Sequence, residues 1–469
     1  MATLRGCIPA LLALTLAGCA MRPAGEAGER ARLKEAGRAY TEPVNLPELP
    51  EHPELDDYLQ YALLNNAGLR AQYWQWRALI ERVPQVSSWP RLMLSMDVMF
   101  TRENMRLWDR TTLGIANDNN MPIQSPTKLK SRGRIALSDA QAAGERFQTA
   151  KFLLQQQLEN AYYDLALLAE TLRIQGENVT LLEMISEQTA SRVRSGTTSQ
   201  ADLLGSLTNL DLARNELQNM QSQAPPLAAR LNAILGRTAQ APVPLPQRLP
   251  EPRPLPAEDD ALIAMAAERS PELAALAREV AGRKEALSLA RQQWIPDLNL
   301  AGSLTGDISQ MIGAMLMLPT NIESIRGGIA QARASIQSAE AAREQYGRDL
   351  AASFVLNLYV LRNDERQVEL FEKVIIPRAE QTVSVAAASY ANDRVTFVNL
   401  LDAQRTLLDA RLAAAQLRIE REKALAAIET WSAVDVQAMP RTRMSAPAGG
   451  MGGAAAATAM GSESDGGGM

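Results

Sequence analysis

The side chains that usually carry catalysis are scarce in this chain. Among its 469 residues the only histidine is His52, and the only cysteines are Cys7 and Cys19. His52 stands beside Pro53 in a polar stretch, which is typical of a solvated loop. A zinc site or a histidine-based acid–base pair needs several such side chains close together. We therefore expect no enzyme, no catalytic residue, no resident metal and no cofactor.

Thioethers are the remaining candidates for ligand chemistry, since the chain holds 18 methionines. Six lie near two apolar segments: Met93, Met96 and Met99 near the first, and Met311, Met315 and Met317 near the second. Four more lie in the C-terminal tail: Met444, Met451, Met460 and Met469. Thioether sulfur suits Cu(I) or Ag(I), so copper, silver or other heavy-metal export is one hypothesis for the cargo. Methionine also fills gaps in apolar surfaces, and we favour lipid-facing or linker filler as its role here.

Cys19 belongs to an N-terminal targeting pattern. Arg5 precedes an apolar core at 8–16, and Leu16-Ala17-Gly18-Cys19 then resembles the lipobox of bacterial lipoproteins. The resemblance implies a signal peptide at 1–18 and a diacylglyceryl group on the Cys19 thiol. An ordinary signal peptide with an incidental cysteine is the alternative. Cys7 leaves with the signal, so no intramolecular disulfide is expected, and Ala20 in place of Asp implies the outer membrane.

Composition favours long helices. Aromatic residues make up only 4% of the chain, and alanine, leucine, glutamine, glutamate and arginine dominate long tracts. The net charge of −5 comes without a basic block, so no nucleic-acid partner is expected. After the signal no apolar run approaches the length of a spanning helix. Any crossing of a membrane must then use strands.

The same order of elements occurs twice. Helical patterns at about 55–83 and 259–293 are broken at "NNAGL" and "RSPEL", and each ends at a tryptophan and a proline. Period-two alternation after each of them predicts strands with one apolar face, with rows Leu92, Leu94, Met96, Val98, Phe100 and Leu298, Leu300, Gly302, Leu304. Second strands are predicted within 111–121 and 310–318, the former being much more polar.

Each strand pair is followed by a very long helix, predicted at about 132–192 and 325–389, with Pro377 as a kink. Leu158, Leu165, Leu172 and Val179 fall seven apart, a heptad seam that requires helical neighbours. Polar loops then lead into two related helices of about 40 residues, "LLGSLTNLDLAR" and "LLDAQRTLLDAR".

These patterns divide the chain into six parts. We expect a signal at 1–18, an extended lipid-anchored leader at 19–50, a first repeat at 51–240 and a second repeat at 258–436. Seven prolines in the linker at 241–257 exclude helix and central strand. The Gly/Ala/Met-rich tail at 437–469 is predicted to be disordered.

The duplicated order, the Trp-Pro strand entries and the phrase "VNLLDA" at 398–403 resemble TolC-type outer-membrane efflux proteins, in their lipoprotein branch. The resemblance covers roughly residues 50–436. It implies a mainly α fold with a small β part, in a homotrimer that pools four strands per chain into a twelve-stranded barrel above a coiled-coil tunnel. The leucine rows would face lipid, and Ser95, Asp97 and Asn299 would face the lumen.

The resemblance also implies partners and site residues. A periplasmic adaptor, or membrane fusion protein, and an inner-membrane pump dock at the helical end of family members. The two docking tips would carry Ser195, Gly196, Thr197, Asn392, Asp393 and Arg394. Some members place two acids three apart at the narrow aperture, where this chain has Asn399 and Asp402. A solvated helix residue or an interhelical ion pair is the alternative role for Asp402.

The function expected from these observations is the exit duct of a tripartite efflux or secretion system, passing small molecules or ions outward. A structural coiled-coil lipoprotein that spaces the envelope is the alternative, but it leaves the period-two runs after both Trp-Pro sites unexplained. A periplasmic adaptor would need a small β-rich domain at the hairpin tip, where this chain has only short loops.

Overall fold

Two very long helices, several shorter helices and four strands make up the described part of the molecule. The structure, a computed structural model, describes residues 21–41, 46–100, 106–118, 122–247, 249, 253, 263, 264, 266, 268–392 and 394–432. The predicted signal, Cys19, Asp393 and the predicted tail lie outside these residues. The first half of the chain contains α1 (Glu26–Thr41), α2 (Leu55–Asn65), α3 (Ala67–Ser87), β1 (Leu92–Val98), β2 (Thr111–Asn117), α4 (Pro126–Arg194), α5 (Gln200–Gln221) and α6 (Ala224–Leu235).

The second half repeats the central part of this order. It contains α7 (Pro271–Gln292), β3 (Asp297–Thr305), β4 (Ser309–Met317), α8 (Ile322–Leu370), a π-helical turn (Phe371–Ile375), α9 (Ile376–Ala391) and α10 (Phe397–Ser432). Helix α4 has 69 residues, which at 1.5 Å per residue extend about 100 Å. It begins earlier than predicted because Ser125 caps its first turn and Pro126 suits the first helical position.

Helix α4 is the central element of the bundle. It packs against α3 and α5 of its own repeat and against α7 and α10 of the other. The predicted heptad seam is its inner face, since Leu158, Leu165 and Val179 are buried and Leu172 is half-buried. The two repeats therefore share a common interior.

All four strands form one antiparallel sheet in the order β1-β2-β3-β4. Each predicted strand is present, including the polar second one at 111–117. The central pairing joins β2 of the first repeat to β3 of the second, with Leu113 opposite Leu304 and Ile115 opposite Gly302. The sheet is thus built across the duplication rather than within either repeat.

The leader differs from the expected extended segment. Residues 26–41 form helix α1, which buries Glu26, Glu29, Leu33 and Gly37 along one side. The Trp76 indole donates a hydrogen bond to the Glu29 carboxylate, 2.9 Å away. This buried side consists mainly of acids and glycine. The sequence therefore lacks the apolar stripe from which a helix could have been predicted.

Two of the predicted long helices are interrupted. The 40-residue helix expected after residue 200 breaks between α5 and α6, where Pro225 and Pro226 begin a new helix. Just before Pro377, where a kink was predicted, the structure has a π-helical turn at Phe371–Ile375. A proline has no N–H to donate, and the wider turn accommodates that loss within a nearly continuous helix.

A buried charge cluster attaches the proline-rich linker to the bundle. The Arg253 guanidinium contacts the carboxylates of Glu422 at 3.0 Å and Glu429 at 3.1 Å, both on α10 and both almost wholly buried. Arg421 of the same helix donates to the Arg253 carbonyl and pairs with Glu365 on α8. The described linker residues 241–247 form neither helix nor strand.

Candidate functional site

The sheet has two chemically different faces. Residues directly opposite in the ladder share a face, so Leu94, Ile115, Gly302 and Ile312 stand in one row. The rows of this face are mostly apolar, and Leu94 is 79% exposed in the single chain. We call it the apolar face.

The opposite face is mostly polar and is called the polar face. Its side chains include Ser95, Asp97, Thr112, Asn299, Ser303 and Thr305. The hydroxyls of Thr112 and Thr305 lie 2.9 Å apart across the β2–β3 pairing. The predicted lipid-facing and lumen-facing rows therefore lie on opposite sides of one sheet.

The base of the sheet lies beside the beginning of the described chain. The Met21 amide donates to the Ser87 carbonyl at the end of α3, 3.1 Å away. Trp89 and Trp294, which precede β1 and β3, are both largely exposed. Residue 21 is thus held at the junction where the strands leave the helices.

The first predicted tip closes α4 with a glycine turn. Gly196 has φ +75°, the left-handed conformation that commonly ends a helix. Its amide donates to the Val193 carbonyl at 3.0 Å, and the Thr197 amide donates to the Arg192 carbonyl at 2.9 Å. Ser195 donates its hydroxyl to the same Arg192 carbonyl. The backbone polar groups of this tip are therefore satisfied locally.

The start of α5 completes the first tip. Ser199 caps the helix by accepting from the Asp202 amide, while its hydroxyl donates to the Asp202 carboxylate at 2.8 Å. This bond and a second one from Thr198 hold the pKa of Asp202 below its ordinary value. The tip consequently carries a fixed negative charge at neutral pH.

The second tip ends α9 differently. Asn392 has φ −102°, not the left-handed conformation that its residue type tolerates. Its side-chain amide donates to the Ala388 carbonyl at 2.8 Å, and the Arg394 amide donates to the Ser389 carbonyl at 2.9 Å. The side chains of Asn392 and Arg394 are exposed, while Asp393 lies outside the described residues.

The structure brings the two tips together through residues that sequence reasoning missed. The Arg192 guanidinium lies over the Tyr390 ring, 4.6 Å from its centroid, and donates to the carbonyl of the same residue. Tyr390 packs against Phe397 at 6.0 Å between centroids. Ile185, Tyr390, Phe397 and Leu400 form one buried cluster. The aromatic residues Tyr390 and Phe397, one on each side of the second predicted loop, were the available signal.

Asn399 and Asp402 both lie on the exposed side of α10, one turn apart. Leu400 and Ala403 of the same turn are buried, which fixes the direction in which the two polar side chains project. Within the described residues no ion pair holds the Asp402 carboxylate. Its role as an interhelical ion-pair partner inside one chain is therefore not observed.

Two kinds of feature are missing from the part of the chain that the structure describes. No helix there is long and apolar enough to span a membrane. No group of three or more histidine, cysteine, aspartate or glutamate side chains there could hold a metal ion.

The molecule thus combines paired strands on long helical hairpins with a two-faced sheet at one end of the helices and short polar tips at the other, as the TolC-type resemblance implied. Residues 58–237 match the model of the outer membrane efflux protein family. This match agrees with the TolC-type resemblance that the sequence predicted.

Individual relatives agree with this assignment. The chain is 23% identical over 399 residues to the pyoverdine export outer membrane protein OpmQ of Pseudomonas aeruginosa, covering 79% of this chain and 83% of the relative. It is 22% identical over 304 residues to the cobalt-zinc-cadmium resistance protein CzcC of Cupriavidus metallidurans, covering 62% and 71%.

A solved structure shows the same fold. The crystal structure of the outer membrane protein VceC of Vibrio cholerae superimposes with a TM-score of 0.67 at 17% identity, covering 81% of this chain and 96% of that one. At this level of identity the likeness shows the fold alone.

Proposed function

We propose that three copies of this chain form the outer-membrane exit duct of a tripartite efflux system. Four strands per copy would pool into a twelve-stranded barrel, and the long helices would form a tunnel below it. A periplasmic adaptor and an inner-membrane pump would supply the cargo. The match of residues 58–237 to the outer membrane efflux protein family supports this location and role.

The two-faced sheet is the observation that carries the proposal. Within the described residues β1 and β4 each pair with one neighbour only. An unpaired strand edge is not tolerated in hydrocarbon, where backbone groups find no water. Further copies of the same sheet satisfy both edges, with apolar faces outward and polar faces lining water. The alternative function, a structural lipoprotein that spaces the envelope, does not explain such a sheet.

Exposed apolar side chains on the helices support association of copies. Val355, Leu356 and Tyr359 stand together on α8, each more than half exposed in the single chain. A contiguous apolar patch of this kind is typical of a protein–protein interface. The number three is the one that the family resemblance implies.

Two neighbouring residues of β1 test the duct. Leu94→Arg places a charge on the apolar face, and Ser95→Arg places the same charge on the polar face. Arginine at a lipid-facing position near the membrane midplane costs about 2–4 kcal/mol. We expect Leu94→Arg to lose outer-membrane insertion in a fractionation assay, while Ser95→Arg inserts normally and alters only transport.

The matched pair also decides between the functions. Equal insertion of both variants would contradict a membrane sheet and favour the envelope-spacing alternative. Native mass spectrometry of the detergent-extracted wild-type protein should give three chains per particle. A monomer or dimer would contradict the trimeric duct.

We also propose that Cys19 carries a lipid anchor. The Met21–Ser87 hydrogen bond supports this, because two extended residues span only about 7 Å from the base of the sheet. Exposed Trp89 and Trp294 at the same level are typical of the membrane–water interface. Cys19→Ser should abolish incorporation of labelled palmitate, and label entering the variant would contradict the anchor.

Asp402 and Asn399 are proposed to line the periplasmic aperture. Their exposure on α10 leaves both side chains available to a tunnel axis, and three Asp402 carboxylates would favour cations electrostatically. Asp402→Asn should lower cation selectivity in planar-bilayer recordings. Asp409→Asn, two turns further along the exposed side of α10, is the control. Equal effects of both changes would contradict a specific role for Asp402.

A further inference from the structure

Methionines stand on the polar face of the sheet, where filler is not expected. Met311, Met315 and Met317 on β4 lie opposite Ser303, Asn299 and Asp297 respectively. On β1, Met93 is on the same face as Ser95 and Asp97, while Met96 is on the apolar face with Leu94. The register of the sheet therefore does not fit the interpretation of Met93, Met311, Met315 and Met317 as lipid-facing.

The β4 methionines project from a surface of small side chains. They are 64%, 66% and 46% exposed, in the order Met311, Met315 and Met317. Between the first two stands Gly313, where an added β-carbon would have the Ala301 carbonyl oxygen, 4.0 Å away, as its nearest neighbour. The thioethers therefore border an open recess, and no bulky neighbour requires their flexibility for packing.

The spacing of Met315 and Met317 along β4 suits the two thioethers to binding one ion together. Same-face residues of a strand are about 6.6–6.8 Å apart at their α-carbons, so two flexible four-atom side chains can converge on one ion. The Asn299 amide nitrogen lies 3.8 Å from the Met317 sulfur, which orients that thioether on the polar face. Thioether sulfur is a soft, neutral donor that selects Cu(I) and similar ions over hard cations.

We propose that the polar face of β4 binds a soft monovalent cation, Cu(I) or Ag(I), through the thioethers of Met315 and Met317, while Met311 offers a separate thioether four residues away on the same face. The inference deepens the proposed function and rests on it, because it places the site on the lumenal wall and makes such ions a cargo of the duct. An ion entering the lumen meets the thioethers without crossing lipid.

Barrel closure extends the site across chains. The sheet order leaves β4 at one edge and β1 at the other, so joining copies places β4 beside β1 of the next copy. Met93 of that strand is on the polar face as well. A fourth thioether from a neighbouring copy then lies on the wall next to the β4 methionines.

Silver binding to the detergent-purified full-length protein tests the site. Isothermal titration with silver nitrate in chloride-free buffer would compare the wild type with Met315→Leu and Met317→Leu. Leucine keeps the size and apolarity of methionine and removes the sulfur. We expect each change to weaken silver binding at least tenfold. Met96→Leu, on the same sheet but on its apolar face, should leave the affinity unchanged.

The outcomes distinguish failure of the thioether site from failure of the proposed duct. Unchanged affinity in both Met315→Leu and Met317→Leu would overturn the site, as would an equal loss in Met96→Leu. Native mass spectrometry of the same samples reports the trimer independently. A trimer without methionine-dependent silver binding retains the duct and overturns only this inference, whereas binding by a monomer would retain the thioether pair and contradict the duct.

Discussion

The Arg192 guanidinium lies 4.6 Å from the centre of the Tyr390 ring, and this contact joins the last turn of α4 to the last turn of α9. The Thr189 hydroxyl is also 3.4 Å from the Tyr390 hydroxyl. The tips of the two hairpins are thereby held as one unit. A partner that docks at the tips would engage both hairpins together rather than either one alone.

Breaking this contact should loosen both tips. A cation–π pair contributes about 0.5–2 kcal/mol, depending on its exposure. Arg192→Ala and Tyr390→Ala should each speed amide hydrogen exchange around residues 195–200 and 394–400, and the double variant should add less than the sum. Tyr390→Phe keeps the ring and should behave like the wild type. A phenylalanine variant as loose as the alanine variant would assign the effect to the hydroxyl.

A bulky residue at Gly196 should abolish export without preventing assembly. Its φ of +75° costs other residues about 1–2 kcal/mol, and an added β-carbon would meet no atom of a non-neighbouring residue within 4 Å. Gly196→Val should therefore reshape the tip while trimer and insertion persist. Gly176→Ala in the middle of α4, also without close neighbours, is the control. Normal export by Gly196→Val, measured as resistance or cargo efflux, would show that the first tip does not dock the adaptor. Bulky residues at Asp393 test the second tip in the same way.

Glu29 should make stability pH-dependent. Burial raises its pKa from the ordinary 4.5, although Arg32 and the Trp76 hydrogen bond oppose the shift. The folded state then binds more protons than the unfolded state between the two pKa values. Stability should fall as pH rises from about 4.5 through the raised pKa, and the loss should be complete above it.

Thermal unfolding of the detergent-purified protein across that pH range measures the effect. Glu29→Gln should flatten the fall, because the amide does not titrate and its oxygen still accepts from Trp76. Glu35→Gln, on the exposed side of the same helix, should follow the wild-type curve. A Glu29→Gln curve parallel to the wild type would locate the titration elsewhere.

Arg253→Met should destabilise the folded protein strongly, although Arg253 lies in a proline-rich linker. It removes a cation from two nearly buried carboxylates, Glu422 and Glu429, and breaking such a pair costs about 3–5 kcal/mol. Arg348→Met removes an exposed ion pair to Glu344 and should cost about 0–1 kcal/mol. Equal urea midpoints for the two variants would contradict a structural role of the linker cluster.

Periodicity and the duplication predicted most of the fold. Alternation located β1 and β3 to within a few residues, an apolar run ending before Pro319 located β4, and the heptad seam located the inner face of α4. Even the polar β2 was found by analogy with its counterpart in the second half. These elements could be predicted because burial against one neighbour imposes a single period on each of them.

Features that depend on contacts between distant segments could not be predicted. Helix α1 buries Glu29, a residue type that periodicity counts as exposed, because Trp76 supplies its hydrogen bond. Met315 and Met317 look like part of an apolar run until the register sets them opposite Asn299 and Asp297. The Arg192–Tyr390 contact joins residues almost 200 positions apart, so no local pattern contains it.

The pairing of β2 with β3 makes the two halves of the chain complementary fragments. Neither half alone presents more than a two-stranded ribbon, and such a ribbon is only marginally stable. Two polypeptides divided within residues 241–247, where the chain has neither helix nor strand, would each retain one complete hairpin and would restore the sheet only on meeting. The covalent link between the two halves then serves mainly to raise their effective concentration. Co-expression of the two separate fragments should therefore restore the sheet.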